Sequence, residues 1–334
     1  MKRREFITLL GSGLAAGLPN RAKAQFSKKY RVGLAFTTSP LSEMAGPDPI
    51  APNVRAFVHG LRDLGYVEGQ NLILERRSAE GHAERYHDII AELVQLNVDV
   101  IATVSTPMIR EAKAITTTVP IVMGASNMDV LNLGLVSSLA KPGGNITGNI
   151  QLFDPEIDAK RLELLKEMLP SARRVACLSR TEEWESPWGR IVEVAAQKLG
   201  LTMVLAAHTT DNYEAALALV TASRVDALFV YPGANQYGSR KMLVDFASKN
   251  RLPDSHGFRE AVEVGGLMSY GASIPALWQR AATYVDKILK GANPGELPIM
   301  LPTKFEFVIN RRTADALGIP VPSSLIALTD EVIE

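Results

Sequence analysis

The chain has 334 residues, 36 basic and 36 acidic side chains, an apolar share of 46% and a single cysteine. That length suffices for two domains with separate cores. The balanced charge argues against nucleic acid or an anionic membrane as partner, since both need concentrated positive charge, and one cysteine excludes a disulfide within the chain.

Residues 1–24, MKRREFITLLGSGLAAGLPNRAKA, read as a cleavable export signal. A basic start with Arg3 and Arg4 runs into an apolar stretch from Phe6 to Leu18, Pro19 breaks it, and Ala22-Lys23-Ala24 supplies a small-x-small cleavage pattern that leaves Gln25 as the new N-terminus. The stretch is too short for an anchor and no second apolar run of about 18 residues follows, so the mature chain is expected to be soluble, without a membrane anchor. The twin arginines resemble the motif for export in the folded state, and the flanking residues leave ordinary secretion open. The leader holds five basic residues and one acidic residue, which leaves 31 against 35 in the mature part. Gly11-Ser12-Gly13-Leu14-Ala15-Ala16-Gly17 imitates a dinucleotide fingerprint, but no strand precedes it and its last spacing is one residue too long, so it reads as leader and no cofactor is expected.

Beyond the leader, short β-branched runs alternate with amphipathic segments of helical period, the pattern of a parallel sheet covered by helices. A strand Arg31 to Phe36 leads to a helix with Val54, Phe57, Val58, Leu61 and Leu64 on one face, ended by Gly65. A strand Leu72 to Leu74 follows, then a helical face of Tyr86, Ile89, Ile90, Leu93 and Val94, then a buried strand Val98 to Val104. Thr106-Pro107 reads as a helix N-cap followed by proline at the first helical position.

The second half repeats this order. Arg174 to Ser179 answers Arg31 to Phe36, with Cys177 as a small buried strand residue; Leu199-Gly200 answers Leu64-Gly65; Tyr213 opens a helix as Tyr86 does; Val225 to Val230 answers Val98 to Thr103. The expected fold is therefore α/β, two doubly wound Rossmann-like lobes joined near the turn Pro142-Gly143-Gly144-Asn145. In open α/β sheets a ligand sits beyond the carboxyl ends of the strands, so two facing lobes enclose a cleft. Its loops are Thr37-Thr38-Ser39, Ser105-Thr106 and Ser126 to Asp129 on one side, and Arg180 to Trp188 and Tyr231 to Tyr237 on the other. Hydroxyls and backbone N–H groups at a helix cap suit a carboxylate, Asp129 suits an ammonium, and Trp184 or Tyr231 suits stacking on an apolar body. Each has a plainer alternative: Ser105, Thr106 and Asp129 as helix caps, Trp184 as lobe surface.

The blocks Phe57 to Leu74 (FVHGLRDLGYVEGQNLIL), Gly134 to Gly148 (GLVSSLAKPGGNITG), Gly257 to Gly271 (GFREAVEVGGLMSYG), Ala281 to Lys290 (AATYVDKILK) and Leu297 to Gly318 (LPIMLPTKFEFVINRRTADALG) carry a resemblance. Over essentially its whole length the chain resembles the ABC transporter substrate-binding protein family that includes tryptophan- and tyrosine-binding lipoproteins of Gram-positive bacteria. The resemblance implies a type I periplasmic-binding fold with three crossings between lobes, near Asn145 to Gln151, Gly266 to Gly271 and Pro302 to Asn310. It implies a first lobe of residues 28–147 plus 271–302 and a second of residues 148–270 plus 303–334. A permease of the inner membrane is the implied partner of a monomeric periplasmic receptor. Many relatives have Asp-Pro-Val where this chain has Asp129-Val130-Leu131, and an aspartate-proline pair where it has Tyr231 to Asn235, so the pocket chemistry departs from the family pattern.

Five histidines show no zinc spacing, and no Gly-x-Ser-x-Gly elbow or P-loop occurs, so binding is favoured over catalysis. The expectation is that lobes close on a small zwitterion or carboxylate with an apolar part. The candidate contacts are Thr37, Thr38, Ser39, Ser105, Thr106, Ser126 and Asp129 on the first lobe, Gln151 at a crossing, and Trp184, Tyr231 and Asn235 on the second, with no metal and no catalytic residue. A receptor that reports ligand to a signalling partner is compatible with the same features; a ligand-regulated repressor is not, for want of a DNA-binding headpiece.

Overall fold

The computed structural model of the chain describes residues 28–126, 129–151, 156–209 and 212–334. The leader, the segment 127–128, the segment 152–155 and the pair 210–211 lie outside them, and with them the expectations placed on residues 1–24, Gln25, Asn127 and Met128.

The first sheet consists of β1 (Tyr30–Phe36), β2 (Leu72–Ser78), β3 (Val100–Val104), β4 (Ile121–Ala125) and β5 (Ile146–Gly148), in the order β2-β1-β3-β4-β5 and wholly parallel. The second consists of β6 (Arg174–Ser179), β7 (Thr202–Ala207), β8 (Ala227–Val230), β9 (Asp254–His256), β10 (Met268–Ala272), β11 (Phe305–Asn310) and β12 (Glu331–Ile333), in the order β12-β11-β10-β9-β8-β6-β7. Only β10 against β11 runs antiparallel there. Three consecutive neighbours at the switch point match in the two sheets, β2-β1-β3 and β7-β6-β8, and the chemistry matches too. Asp99 accepts from the backbone N–H of Arg31 at 2.7 Å, and Asp226 accepts from that of Arg174 at 2.8 Å. Both aspartates pin the start of one strand to the start of its neighbour.

β2 is longer than the apolar run Leu72 to Leu74 implies. Its second half is Glu75-Arg76-Arg77-Ser78, tolerated because β2 is an edge strand whose charges are paired, Glu75 with Arg31 of β1, Arg76 with Glu68 and Arg77 with Glu92. Arg77 holds Glu92 with Nε at 2.9 Å and Nη2 at 2.6 Å.

The first core is completed from far down the chain. The helix Ile274–Leu289 lies against the helix Pro52–Asp63 and β4. Its Trp278 is fully buried, stacked on Phe36 at 4.6 Å and edge-on to Phe57 at 5.6 Å. Gly124 makes room for it, since a Cβ there would stand 2.3 Å from the indole. Arg280 Nε donates to Asn149 Oδ1 at 2.6 Å and Asn149 Nδ2 to the Leu277 carbonyl at 2.9 Å, which ties the segment after β5 to this helix.

The chain passes between the sheets three times: after β5, after β10 and before β11. The first and third passages run side by side, with Met300 N–H on the Gly148 carbonyl and Ile150 N–H on the Met300 carbonyl, both at 2.9 Å. The second comes later than Gly266 to Gly271, because Met268–Ala272 first pairs as β10 with β11. At that bend Gly271 lies on the carbonyl of Gly257, where a Cβ would meet the oxygen at 2.0 Å.

Candidate functional site

A cavity of about 400 Å³ opens beyond the carboxyl ends of β1 and β3 on one side and β6 and β8 on the other. Thr37, Thr38 and Ser39 line it from the tip of β1, Ser105 and Thr106 from the tip of β3, Gln151 from the first passage, and Tyr231 and Asn235 from the loop after β8. Eight of the eleven candidate contacts thus meet in one space.

Ser105 is the most strained of these. Its φ of +66° and ψ of 142° fall where a non-glycine residue costs about 1–3 kcal/mol, and its buried hydroxyl has no hydrogen-bond partner. It is also the N-cap of the helix Thr106–Ile115, which corrects the assignment of that role to Thr106. Pro107 therefore occupies the second helical position, where a missing N–H costs nothing because the first turn has no internal acceptors for its donors. Thr106 turns inward, its Oγ1 3.1 Å from the Ser126 hydroxyl.

Ser126 and Trp184 do not line the cavity. Ser126 is buried behind Thr106, and its carbonyl accepts the Gln151 N–H at 2.7 Å. Trp184 ends the short helix Thr181–Trp184 and packs edge-on against Trp188 at 6.3 Å. One step of helix turns a side chain through about 100°, so Arg180 and Glu183 take the cavity face and Trp184 is carried past it. Asp129 opens the helix Asp129–Asn132, and its side chain lies outside the described residues.

Residues that the sequence did not single out complete the wall: Phe36, Phe258 and Ile274 as apolar surface, Tyr86 and Tyr237 as aromatic groups with a hydroxyl, and Arg110, Arg180 and Glu183 as charges. Arg180 reaches Glu183 Oε1 with Nε at 2.9 Å and Nη2 at 2.8 Å, while its N–H donates to Oε2 at 2.9 Å. Burial raises the Tyr86 hydroxyl pKa, with the Arg180 guanidinium opposing, and both residues line the cavity, Tyr86 from the first lobe and Arg180 from the second. Tyr237 and Phe258 meet edge-to-face at 5.2 Å and pack onto the first-sheet core although second-sheet loops carry them. Burial, with Glu260 next, pushes the Tyr237 hydroxyl far up. A Cβ on Gly238 would stand 2.7 Å from that of Thr38, so the two lobes touch beside the cavity. Arg110 was legible only by position, one helical turn after Thr106.

Behind the second-lobe wall lies a buried ion pair, Arg161 with Asp158 at 3.1 Å. Arg161 donates to the Val230 carbonyl at 2.8 Å, and Asp158 accepts from Trp188 Nε1 at 2.5 Å. The Trp188 ring meets Tyr231 edge-on at 4.6 Å, so this network fixes the strand end and the ring that face the cavity. His208 donates from Nδ1 to the Thr209 carbonyl and accepts at Nε2 from Gln236, and burial lowers its pKa, so the imidazole is neutral and structural. Burial pushes the Cys177 thiol up to about 12, which leaves it protonated and unreactive at neutral pH. Among the described residues no three His, Cys, Asp or Glu side chains gather as a metal site, and no helix is long and apolar enough to cross a membrane.

Comparison with known proteins agrees with this geometry. The tyrosine-binding protein of Clostridioides difficile (strain R20291) is 27% identical over 268 residues, which cover 79% of this chain and 75% of that protein. The ABC domain from Streptococcus pneumonia, solved in complex with L-Trp, superimposes with a TM-score of 0.80 at 25% identity over 92% of this chain and all of that one. A conserved domain protein of Vibrio cholerae o1 biovar eltor str. n16961 gives 0.78 at 24% identity, over 91% of this chain and all of that one. The two parallel-dominated lobes are a type I periplasmic-binding fold, of the Venus-flytrap kind. The family model for ABC transporter substrate binding proteins matches residues 47–333, and the chain belongs to that family.

Proposed function

We propose that the protein is the periplasmic solute-binding component of an ABC importer, exported by its leader, and that it takes up an amino acid or an aromatic carboxylate by closing its two lobes. The observation that carries this is a single cavity with walls from both sheets, large enough for a small metabolite. A ligand touching both walls stabilises the closed form by its differential affinity for that form. A relative named for tyrosine and a neighbour solved with L-Trp support the ligand class. In this reading Thr37, Thr38, Ser39, Ser105 and Thr106 meet the ligand from the first lobe, formed by residues 28–147 plus 271–302. Gln151, Tyr231 and Asn235 meet it from the second, formed by residues 148–270 plus 303–334, and Ser126 and Trp184 act from behind. The closed form docks on an inner-membrane permease, and the ligand is released unchanged.

The test is a thermal-shift panel of amino acids and aromatic acids, followed by small-angle scattering with any compound that binds. A ligand at one hundred times its Kd raises stability by about 2.7 kcal/mol and should make the particle more compact. Stabilisation by other metabolites alone refutes the ligand class; steady conversion of a bound compound refutes the receptor role; unchanged uptake of that compound in a deletion strain refutes import.

A further inference from the structure

The cavity wall carries two guanidinium groups, one from each lobe, and they are in different states. Arg180, on the second lobe, is committed through Nε and Nη2 to Glu183, which also accepts the Arg180 N–H. Those three bonds occupy both Glu183 oxygens and leave the two Nη1 hydrogens and one on Nη2 outside the Glu183 pair. Arg110, on the first lobe, lies one turn into the helix Thr106–Ile115 and forms no ion pair among the described residues. The hydroxyl-bearing residues Ser105, Thr106 and Tyr86 are among those that line the same cavity.

We infer that Arg110 and Arg180 form a two-lobe clamp for the carboxylate of the ligand, so that the anionic end, not an ammonium, is what draws the lobes together. This deepens the receptor reading given above and rests on it. The physical argument is a balance of charge. With Arg180 paired to Glu183 the three charged side chains of the wall leave one net positive charge, and a carboxylate between the two guanidiniums gains a charge-assisted contact from each. Glu183 keeps the Arg180 fork in one orientation, which reduces the side-chain freedom lost on binding. The aromatic and apolar wall of Phe36, Phe258 and Ile274 is left for the body of the ligand.

The test is a matched set measured by calorimetry on the purified protein. L-Tyrosine carries both charges, 3-(4-hydroxyphenyl)propionate keeps the carboxylate and lacks the ammonium, and tyramine does the reverse. Leucine, 4-methylpentanoate and isopentylamine form a second, aliphatic set. The clamp predicts that in any set that binds, the two carboxylates bind and the amine is weaker by about tenfold or more, the loss expected for charge-assisted hydrogen bonds. Arg110→Met and Arg180→Met should each weaken the carboxylates by about tenfold or more without changing the weak binding of the amine. Arg110→Lys should restore part of the loss, which a merely structural role would not produce. Amine binding equal to that of the zwitterion, or carboxylate affinities unchanged in both Met variants, overturns the clamp and leaves the receptor reading standing. Absence of binding by every carboxylate in both sets overturns the clamp as well. The receptor reading falls separately if no metabolite of any class compacts the protein.

Discussion

Glu260 offers a sharp test of how the second lobe is held together. It sits in the first turn of the helix Arg259–Glu263, is 3% exposed, and neither of its carboxylate oxygens has a hydrogen-bond partner beyond the residue's own backbone. Burial outweighs the pull of its own backbone N–H and, with the Glu263 carboxylate adding to it and Arg240 and Arg259 partly opposing, pushes its pKa from the ordinary 4.5 up to about 7. The native state therefore binds a proton that the unfolded chain has lost between those two values. Stability contributed by the protonated form is complete below pH 4.5 and is lost as pH rises through 7. At about 1.4 kcal/mol for each pH unit, the difference amounts to about 3 kcal/mol. Glu260→Gln removes the titration and keeps the shape. Urea unfolding of both proteins from pH 4 to pH 8.5, followed by tryptophan fluorescence, should give matching free energies at the acid end and a variant more stable by about 3 kcal/mol at pH 8. Two curves that stay parallel over this range would falsify the assignment of a buried carboxyl at 260.

Two further outcomes follow from the packing. Asp158→Asn leaves the Arg161 guanidinium buried without a counter-charge and should lower the unfolding free energy by about 3–5 kcal/mol, read by chemical denaturation; a loss of less than about 1 kcal/mol, the range of an exposed pair, would mean that the pair does not carry its charges. Gly238→Ala places a methyl group 2.7 Å from the Cβ of Thr38 on the other lobe, closer than Cβ atoms ordinarily come. It should weaken ligand binding by about tenfold, at the low end of the 1–3 kcal/mol typical of overpacking, and leave the melting temperature of the unliganded protein unchanged. Scattering that shows unaltered compaction on ligand binding would sink the claim that this contact belongs to closure.

What was legible in the sequence was what periodicity and local chemistry decide. The strand-helix alternation gave β1, β2 and β3 of the first sheet and β6 and β8 of the second, and the paired motifs Val98-Asp99 and Val225-Asp226 turn out to make the same side-chain bonds to Arg31 and Arg174. The loops at the carboxyl ends of the strands follow from topology alone, which is why Thr37, Ser105 and Tyr231 lie together. Individual orientations did not follow. Trp184 looked like a stacking platform until one helical step showed Arg180 and Glu183 on the cavity face instead. Arg110 is an ordinary helix-surface arginine in sequence, and only the position of the opposite lobe makes it part of a wall. Phe258 and Ile274 belong to segments more than two hundred residues from Phe36, a juxtaposition that no local pattern encodes.

The helix Ile274–Leu289 has a consequence for the order in which the molecule can form. Its Trp278 is buried in the first core against Phe36 and Phe57, which were made more than two hundred residues earlier. The five strands of the first sheet thus remain without this side chain until most of the chain exists, and the second sheet, whose β6 to β10 are continuous up to Ala272, has nearly all its strands before then. Assembly of such long-range contacts is slow, so an N-terminal fragment ending at residue 150 is a sheet with one face stripped. The lobe that begins the protein waits for a helix made after β6 to β10 of the other lobe, which is itself completed only by β11 and β12.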